Sequence, residues 1–279
     1  MIIGKIIEKF VSGLEELYST EEARNSTFLV IEKKLGMKRH QILLNKDQEA
    51  EHIEKELNQI LNELKTGKPV QYVLGETEFC GLKLKVNEHV LIPRPETEEL
   101  VYWIKESISV NSKILDIGTG SGCIAIALKH FLPESEVYAL DVSEKALDVA
   151  RKNSFINNCE VHFFTRNILK DDLSDLPQFN VIVSNPPYVT NSEKDLMHKN
   201  VLNFEPQSAL FVPDDDPLIF YKRITEVSKV KLKTSGNLFF EINEQFGTEV
   251  NNLLLNSGFS SVEIKKDLQG KERMVRGVF

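Results

Sequence analysis

The stretch "KILDIGTGSGCIAIALKHF", Lys113 to Phe131, reads as a short buried strand, a glycine-rich turn and a helix. The same alternation continues to the end of the chain. "EVYALDV", "EVHFFTRN", "NVIVSN" and "GNLFFEIN" are strands, with "SEKALDVARKNSFIN", "PLIFYKRITEVSKVKL" and "EQFGTEVNNLLLNSG" as helices. Apolar strands separated by amphipathic helices predict a mostly parallel sheet covered on both faces. "SVEIKKD" and "ERMVRGVF" close the chain with only "LQGK" between them, too short for a helical crossover, so they pair antiparallel as a hairpin. The expected fold is α/β and Rossmann-like, with seven strands.

Upstream, residues 1–70 read as a small helical domain. "IIGKIIEKFVSGLEELY" repeats apolar residues near the 3.6-residue period, and Ser19 with Glu22 has capping-box spacing ahead of a second helix that Gly36 ends. "DQEAEHIEKELNQILNELKTG" is a third amphipathic helix, with Asp47 as its expected cap and Gly67 as its stop. Residues 71–95 change character. Short alternating runs around Leu82, Leu84 and Val86, broken by Gly75 and Gly81, predict a β-hairpin linker ending in "IPRPETE". The sheet domain is expected over residues 96–279.

Bulk composition narrows the function classes. The chain has 279 residues, is 41% hydrophobic and 27% charged, and carries a net charge of −8. An acidic total argues against stable binding to nucleic acid through general phosphate neutralisation, and residues 1–90 supply no basic arm. Three widely spaced cysteines (Cys80, Cys123, Cys159) form no CxxC pair, and the six histidines lack metal-ligand spacing, so no metal is expected. The N-terminus has neither signal-peptide nor membrane-span character. A cytoplasmic monomer is the expectation.

The loop "DIGTGSG", Asp116 to Gly122, allows a sharp turn and a close approach of backbone to ligand. Its G-x-G-x-G spacing departs from the dinucleotide fingerprint, and alone it is compatible with a simple tight βα turn. Asp141, at the end of the next strand, is placed to accept hydrogen bonds from both hydroxyls of a ribose. The alternative makes Asp141 a helix cap, a job Ser143 can already do. Asp116, Gly118, Asp141, Asn167 and Asn185 all fall at the carboxyl ends of strands, where open α/β sheets bind ligands. No Walker lysine follows the glycines, which argues against a triphosphate. The pattern suits an adenosine without phosphates, and hence S-adenosylmethionine.

"NPPY", Asn185 to Tyr188, ends the strand "NVIVSN" in a stiff corner, since proline fixes φ and has no N–H to donate. It is compatible with a rigid structural turn. It also suits methyl transfer to a planar NH2 group. Asn185 offers a side-chain oxygen, Pro186 a backbone carbonyl and Tyr188 a flat face, and the first two can accept N–H bonds while the nitrogen lone pair faces the methyl.

Together, "DIGTGSG", Asp141 and "NPPY" resemble class I S-adenosylmethionine-dependent methyltransferases acting on planar NH2 groups. "GKPVQYVLGETEFCGLKLKVNEHVLIPRPETEELV", Gly67 to Val101, and "NFEPQSAL", Asn203 to Leu210, resemble the peptide chain release factor N5-glutamine methyltransferases. The resemblance implies methylation of the glutamine of the release factor GGQ tripeptide, with the helical domain in substrate recognition. It implies cofactor contacts from Gly118, Thr119, Gly120, Ser121, Gly122, Asp141, Asn167, Ile168 and Asn185. It implies a substrate clamp of Asn185, Pro186, Pro187 and Tyr188, and places Ile168 against the adenine. Relatives often carry an acidic residue where this chain has Asn167, and some carry an aromatic at Ile168. "IPRPETE" has two open readings: a wall of the cofactor pocket near the methionine moiety, shaped by Arg94 with Thr97 or Glu98 as polar contacts, or a purely architectural corner. The competing expectations are a nucleic-acid adenine or guanine N-methyltransferase sharing "NPPY", and a binding module without catalysis.

Overall fold

The computed structural model describes residues 1–50 and 53–279. The chain divides into two compact units, Met1–Glu76 with His198–Phe204, and Thr77–Met197 with Glu205–Phe279. The expected boundaries at 70 and 95 differ from this division, because the hairpin segment joins the core of the second unit.

The first unit is helical: α1 (Ile3–Leu14), α2 (Thr20–Leu35), α3 (Arg39–Leu44), α4 (Glu54–Leu64) and α5 (Val70–Leu74). Ile3, Ile6, Phe10 and Leu14 recur on one face of α1 and are buried, each fully buried side chain contributing roughly 1.5–3 kcal/mol. They pack with Phe28 and Ile31 of α2 and Leu57, Ile60, Leu61 and Leu64 of α4. The Ser19–Glu22 capping box is formed, and Gly36 ends α2 at φ 63°. Asp47 does not cap α4. The helix begins after Ile53, which makes no side-chain cap, while residues 45–50 pair with the N-terminus through Ile3 N–H to Gln48 O and Ala50 N–H to Met1 O. The part of the predicted helix at 51–52 lies outside the described residues.

The second unit opens at Thr77, within β1 (Glu76–Phe79), which pairs with β2 (Leu82–Lys85) to form a hairpin. The turn Cys80-Gly81 has φ of 50° and 75°, the left-handed pair that matches the twist of a two-residue hairpin. There follow α6 (Pro95–Ser107), β3 (Lys113–Ile117), α7 (Cys123–Phe131), β4 (Glu136–Asp141), α8 (Glu144–Ile156), β5 (His162–Thr165) and β6 (Phe179–Ser184). A two-residue strand β7 (Val189–Thr190), the short helix α9 (Lys199–Phe204) of the first unit, and β8 (Phe211–Val212) come next. The chain ends with α10 (Ile219–Lys231), β9 (Leu232–Glu241), α11 (Gly247–Asn256), β10 (Ser261–Lys266) and β11 (Glu272–Val278).

The seven-stranded sheet has the order β10-β11-β9-β6-β3-β4-β5. β11 is antiparallel to both of its neighbours and the remaining pairs are parallel, as the alternating sequence predicts. Both faces are covered. Ile114, Val181, Val183 and Phe239 face one core with Leu100, Trp103 and Ile126, and Leu115, Ile182, Leu238 and Phe240 face the other with Tyr221, Ile224 and Val250. From β3 the chain winds outward through β4 to β5, then returns to β6 on the other side of β3. The strand order therefore reverses between β3 and β6, and the carboxyl ends of those strands open a crevice.

Candidate active site

The turn after β3 is built by backbone geometry. Gly118, Gly120 and Gly122 have φ of 76°, 55° and 82°, a region that residues with a Cβ rarely adopt. The N–H groups of Gly118 and Thr119 donate to Leu140 O at 2.8 and 3.0 Å, fastening the turn to the end of β4. Around Gly118 and Gly120, apart from their own chain neighbours, no atom of the described residues lies within 4 Å of where a Cβ would stand. Gly122 is different. A Cβ there meets Ile126 Cδ1 at 2.8 Å and Ala150 Cβ at 3.1 Å, so this glycine lets α7 pack on α8. Gly122→Ala is expected to lower unfolding free energy by roughly 2–4 kcal/mol, from left-handed strain plus overpacking. A shift of the urea midpoint at constant slope checks it.

Asp141 stands at the end of β4. Its Oδ2 accepts Gly120 N–H at 2.9 Å and its Oδ1 accepts Ser143 N–H at 2.8 Å. Burial raises its pKa, and the two backbone donors work against that rise. Ser143 is the helix cap, accepting Ala146 N–H, so Asp141 is not needed for that role. Deeper in the turn, Asp116 is fully buried. Its Oδ2 accepts the Thr119 hydroxyl at 2.6 Å, while its Oδ1 has no partner among the described residues. Burial pushes this carboxyl up to about 7. Thr119 and Ser121 are buried beneath the turn.

A cavity of about 460 Å³ lies over these strand ends, entirely within the second unit. Of the sequence-predicted residues, it brings together Gly118, Gly120, Asp141, Asn167, Ile168, Asn185, Pro186 and Pro187. Asn167 Oδ1 accepts Leu169 N–H at 3.0 Å, which leaves it one further lone pair. Ile168 is buried, with its carbonyl held by Arg223 Nε at 3.0 Å. Asn153, buried in α8, bonds Lys85 N–H and both the Lys85 and Ser121 carbonyls, tying the hairpin to the glycine turn.

The other expected residues stand elsewhere. Thr119, Ser121, Gly122, Tyr188, Arg94 and Thr97 are not in the cavity wall. The Tyr188 ring packs against the second core, and its hydroxyl donates to Glu241 Oε1 at 3.2 Å, so it is a hydrogen-bonded support and not an open platform. Burial, with Glu241 beside it, raises its pKa. Arg94 pairs with Glu205 at 2.6 Å, and Glu205 also accepts Ile92 N–H. Glu205 thereby holds the Ile92–Arg94 segment within the second unit. Glu98 accepts Cys80 N–H and braces the hairpin turn. Thr97 is buried, donates to Glu241 Oε2 at 2.7 Å and receives Asn185 Nδ2 at 3.3 Å.

Sequence reasoning missed Glu241, and with it the cavity wall at His89, Leu91 and Ser208. Glu241 carried a signal: it is an acidic residue at the carboxyl end of a strand otherwise as apolar as "NLFF". No periodicity marks the loop residues of the wall.

The chemistry of the wall suits an adenosine-bearing cofactor. It has open backbone at Gly118 and Gly120, the Asp141 carboxylate at the end of β4, and apolar Ile168 beside the Asn167 amide. A sheet of this order, with such a turn and an Asn-Pro-Pro corner at its switch point, defines a class I methyltransferase. The fold is shared by a methyltransferase from Pyrococcus furiosus, with a TM-score of 0.52 at 19% identity, covering 71% of this chain and 89% of that one. A family model described as "Methyltransferase small domain" matches residues 96–207, and one described as "PrmC N-terminal domain" matches residues 5–75. The release factor glutamine methyltransferase of Flavobacterium psychrophilum is 46% identical over 283 residues, covering 99% of each chain. That of Bacteroides thetaiotaomicron is 41% identical over 274 residues, covering 98% of this chain and 99% of its own. The chain belongs to the release factor glutamine methyltransferase family.

Proposed function

We propose that this protein methylates the side-chain amide nitrogen of the glutamine in the GGQ tripeptide of peptide chain release factors, using S-adenosylmethionine, in the cytoplasm. The observation that carries the reading is one cavity in which the Asn185-Pro186-Pro187 corner faces Gly118, Gly120 and Asp141, on a chain alike to its relatives along nearly its whole length. The helical unit serves substrate recognition, in keeping with its own family match over residues 5–75.

Asp141 is assigned to the ribose hydroxyls, Gly118 and Gly120 to close backbone approach, Asn167 to the adenine amino group and Ile168 to its apolar face. When bound, the cofactor supplies a methyl group on a positively charged sulfur, which needs little acid–base help. The difficulty lies with the amide, whose nitrogen lone pair is delocalised. Asn185 Oδ1 and the Pro186 carbonyl are assigned as acceptors for the two amide N–H groups. They fix the nitrogen's orientation, and the stiff Pro186-Pro187 backbone removes freedom that the site would otherwise have to restrict.

The test is transfer of radiolabelled methyl to three acceptors: release factor, release factor with its GGQ glutamine replaced by alanine, and DNA. Label on native release factor alone is the expected result. Label on DNA alone, or on both release factors equally, overturns the reading.

A further inference from the structure

Asn185, Thr97, Glu241 and Tyr188 form a hydrogen-bonded chain across α6, the corner after β6 and the end of β9, and each of its bonds has a direction. Glu241 is buried, with the Tyr188 hydroxyl on Oε1 at 3.2 Å and the Thr97 hydroxyl on Oε2 at 2.7 Å. A carboxylate only accepts, so both hydroxyl hydrogens point at Glu241. Burial, the largest influence, raises the Glu241 pKa, and the Thr97 and Tyr188 hydroxyl bonds and the Arg273 guanidinium oppose that rise; in the ionised form that these three partners favour, Glu241 offers lone pairs only. Thr97 has one hydrogen, already directed to Glu241, so its oxygen offers only a lone pair toward Asn185. The atom 3.3 Å from it is therefore an N–H donor, Nδ2. Asn185 Oδ1 has no protein donor among the described residues and belongs to a side chain that lines the cavity.

We propose that Thr97, held by Glu241, is the positioning residue that fixes the Asn185 amide with its oxygen toward the substrate. This rests on the reading of Asn185 as an acceptor for the substrate amide. With the amide reversed, Oδ1 would meet the Thr97 lone pair, and two NH2 groups would oppose each other in the cavity. Neither arrangement makes a hydrogen bond. The buried carboxylate thus sets a direction that passes through one hydroxyl to the reacting site.

Two substitutions and two readouts test this. Thr97→Val keeps the shape and removes the hydroxyl, and Thr97→Ser keeps the hydroxyl. Turnover on release factor is expected to fall about 10- to 100-fold in Thr97→Val, with cofactor affinity unchanged, and to recover mostly in Thr97→Ser. In parallel, the side-chain amide NMR resonance of Asn185, assigned by its loss in Asn185→Ala, is expected to shift and to exchange faster with solvent in Thr97→Val only. An unmoved resonance in folded Thr97→Val, an equal loss of turnover in both variants, or a parallel loss of cofactor affinity overturns the proposal. The resonance comparison needs no acceptor protein. A native enzyme that labels no release factor therefore contradicts the functional reading, while the resonance still decides whether Thr97 orients the amide.

Discussion

Asn185→Ala is expected to lower turnover by roughly two to three orders of magnitude, the scale for removing one preorganised polar group that acts on the reacting atoms. Asn185 directly follows β6, which lies next to β3 at the centre of the sheet, and the following prolines fix its backbone. Its amide is held on one side by Thr97. Alanine removes the acceptor and leaves the turn, Asp141 and Ile168 in place. Cofactor affinity, read by calorimetric titration, is expected to change little beside the loss in turnover. Unchanged turnover contradicts the assigned role. A drop confined to cofactor affinity moves Asn185 from the chemistry to cofactor binding.

Asp141→Ala is expected to act on the cofactor. Hydrogen bonds to a charged group are worth about 1.5–3 kcal/mol each, and under the proposed assignment to the ribose hydroxyls the Asp141 carboxylate offers two. The variant also releases Gly120 N–H and Ser143 N–H, which loosens the glycine turn. Together these predict cofactor binding weaker by about 100-fold or more, since each ~1.4 kcal/mol is tenfold. Asp141→Asn keeps one acceptor oxygen and is expected to fall between alanine and the native protein. A calorimetric affinity equal to that of the native protein in Asp141→Ala argues against ribose contact.

The sheet was legible because its strands are short and apolar and its helices amphipathic. Burial on both faces leaves that pattern and no other. The first half of the site was legible for a related reason. Glycines and an acidic residue at strand ends have a direct physical reading, and Gly118, Gly120, Asp141 and Asn185 meet at one cavity. All but one of the misses share a cause, which is dependence on contacts distant in sequence. Asp47 has the residue type of a cap, yet residues 45–50 are taken up by pairing with the N-terminus. The five-residue α5, in "PVQYVLG", was hidden because valine-rich runs of that length carry strand character as readily as helix. Tyr188 and Thr97 were read as surfaces facing a ligand. Glu241, 53 residues beyond Tyr188 and 144 beyond Thr97, turns both hydroxyls inward. A buried carboxylate at the end of β9 makes supports of residues that sequence reading places in the pocket wall.

The measurement closest to the central claim is where the methyl group goes. Native enzyme, release factor and cofactor are incubated, and the product is digested and mapped by tandem mass spectrometry. A single added methyl on the side-chain amide of the GGQ glutamine, absent when Asn185→Ala replaces the native enzyme, is the predicted result. A methyl on any other residue, or on the glutamine at equal yield without Asn185, contradicts the account.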